Sequence, residues 1–272
     1  MAFTPFDFNE AINQRRDHAA DGLRHGSPVV GVSCKEGLAI LTVRRSQRKV
    51  FEIYDRLIYS AIGNQSDIEA VRLGAVDLAA REGFERSPDD VTAQRLVGFS
   101  LSPALKNVFR DQFRAPSVIR AMFGELGDQP GDDMLFILNY DGEFSLHSGR
   151  AAVAGSPEAE DAMLREMEGL DAVPQLDAAL ALALRAWGAG VAALQRRFAD
   201  GDEDEGGTAA GGALEDALRD ELSHANVEIG ILERQVARDA RFRLLTADET
   251  ASLTAPYRVV STLSAEDGEE ER

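Results

Sequence analysis

Lys49 is the residue whose type and setting most invite chemistry. It opens K-V-F-E-I-Y-D-R, a run apolar enough to form a strand, and so places an ammonium at the head of a short β segment. One full positive charge beside backbone amides makes a receptor for a carboxylate, such as the end of another chain. The plainer alternative is an ion pair with a neighbouring acid such as Glu52. Other reactive residue types offer less. Cys34 is the single cysteine, which excludes an internal disulfide and any zinc site built on several thiolates. Its setting, V-V-G-V-S-C, predicts a buried and inert thiol. His18, His25, His147 and His224 show no i,i+4 pairing and no clustering with acids at ligand spacing, so no metal is expected. No G-x-x-x-x-G-K-S/T or G-x-G-x-x-G motif occurs, and no cofactor is expected. Trp187 and Phe198, at a helix end before an acidic run, read as a local packing cluster.

The 272 residues are 44% hydrophobic, enough for one sizeable core. A net charge of −18 argues against sequence-independent nucleic-acid binding, which needs a basic face. Much of that charge lies in an acidic, glycine-rich run from Ala199 to Gly212 and in a tail from Glu266 to Arg272. Both have the composition of solvated segments that cannot bury apolar area. No apolar run reads as long enough to span a bilayer, and the N-terminus lacks a signal-peptide pattern, so the expectation is a cytoplasmic chain with no membrane partner.

These residues must be positioned by elements. A polar helix is expected from about Asn9 to Arg24, with only Ile12, Ala19, Ala20 and Leu23 as an apolar stripe, preceded by a segment holding Phe3, Phe6 and Phe8. A helix so polar is expected to lie on a surface or between subunits. Pro28–Ser33 and Leu38–Val43 read as a β-hairpin, and two further strands lead to Gly63. A helix capped by Ser66 with Glu69 follows, carrying Ile68, Val71, Leu73, Val76 and Leu78. A second helix opens on S87-P-D-D and runs to about Phe113. Strands return at 117–126, 134–140, 144–147 and 151–155, then helices at 156–168, 174–188 and 213–222, then strands at 227–232 and 241–245. Runs of strands alternating with helix pairs disfavour single-helix βαβ units. Two sheets packed face to face under outer helices, an α+β four-layer αββα sandwich, would bury both faces of these apolar strands.

Six segments in order then carry a resemblance: the helix N9-E-A-I-N-Q-R-R-D-H-A-A-D-G-L-R-H-G, then K49-V-F-E-I-Y-D-R, A61-I-G-N, F84-E-R-S-P-D-D-V-T-A-Q-R-L, N139-Y-D-G and R241-F-R-L-L-T. Together they resemble the α subunits of actinobacterial-type proteasome core particles, within the N-terminal-nucleophile hydrolase fold. The resemblance divides the chain into a gate-forming segment 1–8, a domain 9–254 with an acidic flexible insertion at about 196–222, and an acidic tail 255–272. It implies a non-catalytic subunit of a homo-heptameric ring, stacked on catalytic β subunits, admitting unfolded protein substrates and docking an ATPase ring. Lys49, with Gly26 and Gly63 as small lining residues, would form the activator-docking pocket between neighbouring subunits. Phe3, Phe6 and Phe8 would belong to the gate. Activity in this fold needs an N-terminal Thr, Ser or Cys whose own amine serves as base. The matching position is Ser27, but Pro28 follows it and Val43 stands where an acid is needed. A self-processed hydrolase using Ser27, and a homomeric ring without β partners, remain the alternatives.

Overall fold

A computed structural model of the chain describes residues 5–169, 173–200, 211–236 and 240–258. The apolar runs pair into two antiparallel five-stranded sheets. One holds β1 (Val29–Ser33), β2 (Gly37–Arg44), β8 (Arg150–Val153), β9 (Asn226–Glu233) and β10 (Phe242–Leu244), in the order β10-β9-β2-β1-β8. The other runs β3-β4-β5-β6-β7, from β3 (Phe51–Tyr54), β4 (Leu57–Gly63), β5 (Ile119–Glu125), β6 (Met134–Asn139) and β7 (Phe144–Ser148). Strand alternation decides what each side chain meets. From β2, Leu38 and Ile40 join Ile58 and Ile62 of β4 in the layer between the sheets. Ala39, Leu41 and Val43, one residue out of phase, pack under helices on the outside.

Those outer helices complete the four layers expected from the sequence. Over the second sheet lie α2 (Gln65–Glu85) and a helical stretch made of a π-helical segment, Gln94–Leu101, continuing into α3 (Ser102–Arg110). Over the first lie α4 (Pro157–Glu166), α5 (Leu176–Asp200) and α6 (Gly211–His224), with α7 (Ala247–Thr254) beyond. Ser156 caps α4, as its Ser-Pro-acid opening predicts.

Several expectations need correcting. The carboxamide of Asn64, rather than Ser66, caps α2, accepting from the Ser66 amide, while Glu69 turns to Arg72 at 2.7 Å. Leu73 is half exposed, because the buried stripe of α2 is Ile68, Val71, Ala75 and Ala79. Ser87 caps only the single turn Pro88–Asp90. The helical stretch restarts later and passes through π geometry ahead of Pro103, whose ring displaces the preceding turn and which has no N–H to donate. Phe84, Phe99 and Phe113 stand exposed around this layer.

The flexible insertion at 196–222 also shrinks. α5 does not stop at Gly188 but continues to Asp200, and α6 buries Leu214, Ala217, Leu218 and Leu222. A Cβ at Gly188 would meet Leu218 at 2.7 Å, and one at Gly190 would meet the Met163 sulfur at 2.6 Å. Both glycines therefore serve close helix packing rather than helix termination. α5 is also the one described helix with the length and composition to cross a bilayer, contrary to expectation, and most of it is buried inside the fold. Of 255–272, Ala255–Tyr257 form one 3-10 turn, and the tail from 259 onward lies outside the described residues. Cys34 is fully buried, and burial pushes its thiol up to about 11, as its apolar strand predicts.

At the N-terminal end α1 spans Pro5–Leu23, so helix begins ahead of Asn9, with Pro5 at the first position where its missing N–H costs nothing. Among the α1 residues whose side chains are described, only Ala19 and Leu23 are buried apolar anchors. What the stripe lacks, Arg15 supplies. Its guanidinium donates to the carbonyls of Val108, Phe109 and Arg114, closing the C-terminal end of α3.

At the edge of the sandwich away from α1, the fully buried Asp133 accepts two bonds from Arg234 and one each from Ser33 and the Gly127 amide. This ties β1, the β5–β6 connection and the end of β9. Removing one partner leaves a buried charge unpaired. Arg234→Leu is expected to lower unfolding free energy by about 3–5 kcal/mol in urea melts, while adding Asp133→Leu recovers most of the loss.

Candidate functional site

The site forms where the chain leaves α1. The Gly26 amide donates to the Leu23 carbonyl at 2.9 Å, ending the helix and turning Ser27 and Pro28 into β1. Beside them run Thr42 and Val43 of β2, Glu228 of β9 and Trp187 of α5. Residues 49–50 cross from one sheet towards β3 of the other. The carboxylate of Glu228, buried on β9, accepts the Lys49 and Val50 amides at 2.9 and 2.7 Å through one oxygen. Arg44 holds its other oxygen at 2.6 Å. This clamp aims the Lys49 side chain back towards the end of α1.

There the ammonium donates to the Ser27 carbonyl at 2.8 Å and to the Thr42 hydroxyl at 3.2 Å. Both acceptors are neutral. The Thr42 hydroxyl donates in turn to the Pro28 carbonyl at 2.7 Å, which also accepts the Trp187 indole N–H at 3.0 Å. Trp187 is thus buried in the middle of α5 and serves this wall of the site, not a cluster at a helix end. The backbone of Phe198 belongs to α5. Among the described residues no carboxylate lies within ion-pair distance of the Lys49 ammonium, so the pairing with Glu52 does not form. Burial lowers the Lys49 amine to about 8, and the nearby Glu228 charge offsets only part of that. The result is a cation kept in place by dipoles and short of a counter-charge.

Ser27 cannot use this lysine in the arrangement observed. Its nitrogen is bound in the peptide to Gly26, so no free amine is present as base. Its hydroxyl donates to the Val43 carbonyl at 2.7 Å, and Lys49 meets its carbonyl rather than its hydroxyl. Position 43 contributes only that backbone oxygen.

Gly26 and Gly63 line the same cleft as Lys49. The fold itself requires their smallness. A Cβ on Gly26 would meet the Ile62 Cβ at 2.8 Å, and one on Gly63, at φ +124°, would meet the Val118 carbonyl oxygen at 2.0 Å. Packing demands both glycines, whatever enters the cleft. Of the three phenylalanines that the resemblance assigns to a gate, Phe6 and Phe8 fall within the backbone of α1, and Phe3 lies outside the described residues. Among the described residues no cluster of three or more potential metal ligands occurs.

The cleft has a volume of about 500 Å³. Arg24, Arg44, Arg45, Arg48 and Lys49 line it, against one carboxylate, Glu221. On a chain of net charge −18 this is a local reversal of sign, suited to an anion of carboxylate size or larger. Sequence reasoning missed Thr42, Glu228 and Trp187. The first two were visible as polar residues inside apolar strands, L-A-I-L-T-V and N-V-E-I-G-I-L.

The Lys49 ammonium carries a stability signature. Below pH 8 it is protonated in both folded and unfolded chains, and its full desolvation cost is present. Between about 8 and 10.5 the folded amine deprotonates while the unfolded one does not, so that cost is relieved as pH rises. Lys49→Met is therefore expected to be more stable than the parent at pH 7, with the gap closing towards pH 10 in denaturant melts.

No protein-family model matches the chain. Individual curated proteins do. The chain is 31% identical over 196 residues to a proteasome subunit alpha of Kineococcus radiotolerans, covering 70% of this chain and 80% of that protein. It is 30% identical over 257 residues to a proteasome subunit alpha of Renibacterium salmoninarum, covering 91% of this chain and 93% of that protein. A third, from Streptosporangium roseum, is 30% identical over 183 residues, or 65% of this chain and 70% of that protein. The identity extends over more than two thirds of each of the first two relatives, and the chain belongs to the proteasome α-subunit family.

Proposed function

We propose that this chain is a non-catalytic α-type subunit of a proteasome core particle, forming a ring of its own copies stacked on catalytic β subunits. Its work is to control which chains reach the β sites and to dock an ATPase ring. The observation that carries the reading is the Lys49 ammonium, buried in a basic cleft with two neutral hydrogen-bond acceptors and no carboxylate partner among the described residues. The C-terminal carboxylate of an inserted activator tail supplies the missing charge. The Ser27 hydroxyl tied to the Val43 carbonyl, with no acid at position 43, supports a non-catalytic role. Exposed Phe84, Phe99 and Phe113 give the helical layer apolar surface suited to contacts with other subunits. Phe3, Phe6 and Phe8 belong to the gate, ahead of and within the first turns of α1. Exclusion is steric: a folded domain is about 25 Å or more across, while an extended strand is far narrower.

Co-expression with the β-type subunit of the same genome tests the assembly. The expected result is a large particle in which this chain keeps its N-terminal helix by mass spectrometry and peptidase activity depends only on the β nucleophile. A chain that begins at Ser27 and cleaves peptides alone would establish the hydrolase reading instead, and closed rings without β would establish the homomeric one.

In the assembled particle, Lys49→Ala is expected to abolish activation by a peptide bearing an activator's C-terminal carboxylate, without reducing basal peptidase activity. For the unmodified chain, affinity for that peptide is expected to hold steady below pH 7 and to fall as pH rises through about 8, where the free amine loses its proton. Affinity unchanged by both tests would remove Lys49 from the docking site.

A further inference from the structure

The last described residue, Arg258, lies at the rim of the basic cleft. Its guanidinium reaches the Asn226 carboxamide oxygen at 3.4 Å. Asn226 stands opposite Arg44 in the β2–β9 register, and the neighbouring Ala225 lines the cleft itself. The chain that continues from this point carries Glu266, Asp267, Glu269, Glu270 and Glu271. Seven residues lie between Arg258 and Glu266, and the eight Cα–Cα steps span about 27 Å when extended. That reach is ample for a cleft whose wall begins beside Arg258.

Charge complementarity is local and strong. The cleft gathers five cations. Arg44 is already engaged by Glu228, Arg45 reaches Glu221 at 3.4 Å, and Arg24 reaches Asp21 at 3.1 Å. Arg48 lies over the rings of Phe51 and Phe242 and donates to the Val50 carbonyl, with no carboxylate within ion-pair distance among the described residues. Lys49 is in the same position. Two cations short of a counter-charge thus face a cleft near the last described residue, Arg258, and five acids follow in the sequence at 266–271.

We infer that the acidic segment 266–271 docks into the cleft of its own subunit, with carboxylates on Arg48 and Lys49, and competes there with the tail of any activator. The inference rests on the reading of this cleft as a carboxylate receptor and adds its regulation. The segment acts as a tethered competitor, present at an effective concentration in the millimolar range. A ligand must displace it, so docking becomes more selective and more dependent on salt.

The test is fluorescence anisotropy with a labelled hexapeptide carrying a free C-terminal carboxylate, and with its C-terminal amide as control. Three proteins are compared: the full chain, the chain ended after Arg258, and the full chain with Glu266→Gln, Asp267→Asn, Glu269→Gln, Glu270→Gln and Glu271→Gln. Truncation and neutralisation are each expected to tighten the carboxylate peptide by about five-fold at low salt. The difference should vanish near roughly 0.5 M salt. Equal affinity for all three proteins overturns the tail's role and leaves the carboxylate receptor standing. If the peptide binds none of them, the receptor reading fails, and carbodiimide cross-linking of the full chain decides the tail separately. Lys35, Lys49 and Lys106 are the chain's only lysines, so a product joining 266–271 to Lys49 is unambiguous. Its presence supports the docking, and its absence overturns it.

Discussion

The carboxylate of Glu228 holds the site together. A carboxylate buried to this degree needs compensation: two consecutive amides donate to one oxygen, and the Arg44 guanidinium stands at ion-pair distance from the other, which accepts no hydrogen bond among the described residues. Because those amides belong to Lys49 and Val50, the bond fixes the point where the chain crosses from one sheet to the other. That crossing sets the direction of the lysine side chain. The ammonium on Ser27 and Thr42 follows from it, and Thr42 in turn shares the Pro28 carbonyl with Trp187. The acid's charge reaches the ammonium only as a partial offset, since it is committed to backbone donors and Arg44.

The sandwich was legible because strands buried on both faces leave long apolar runs, and the hairpin 28–43 and the helix start at Ser156 carry their own turn and cap chemistry. The reading failed where tertiary packing outranked local signals. Gly188 and Gly190 resemble a helix stop, yet they are the points at which α5 lies against α6 and α4. The acidic, glycine-rich composition of 199–212 spread its character over a neighbour, α6, whose Leu214, Leu218 and Leu222 are core. Lys49 was legible as a cation at a strand head. Its partners were not, because Glu228 and Thr42 arrive from elements 179 and 7 residues away, and no spacing rule joins them.

Charge is distributed against the average of the molecule. A chain with 47 acidic and 29 basic residues assembles five of the basic ones around one cleft with a single acid on its wall. In low-dielectric walls such a cluster focuses potential well beyond what the same charges would produce on an open surface. The negative remainder of the surface then favours approach of anionic groups only along the cleft axis. Orientation and selectivity come from the same arrangement.

Arg15 gives α1 a fulcrum. The helix of 19 residues is about 28 Å long, and the guanidinium grips the end of α3 about 12 Å from Leu23 and about 15 Å from Pro5. One arm ends at Gly26 and Ser27, which line the cleft, and the other at the N-terminal residues. A rigid rod held near its middle reverses motion between its ends, so a push at the cleft returns at the far end in the opposite direction and at similar amplitude.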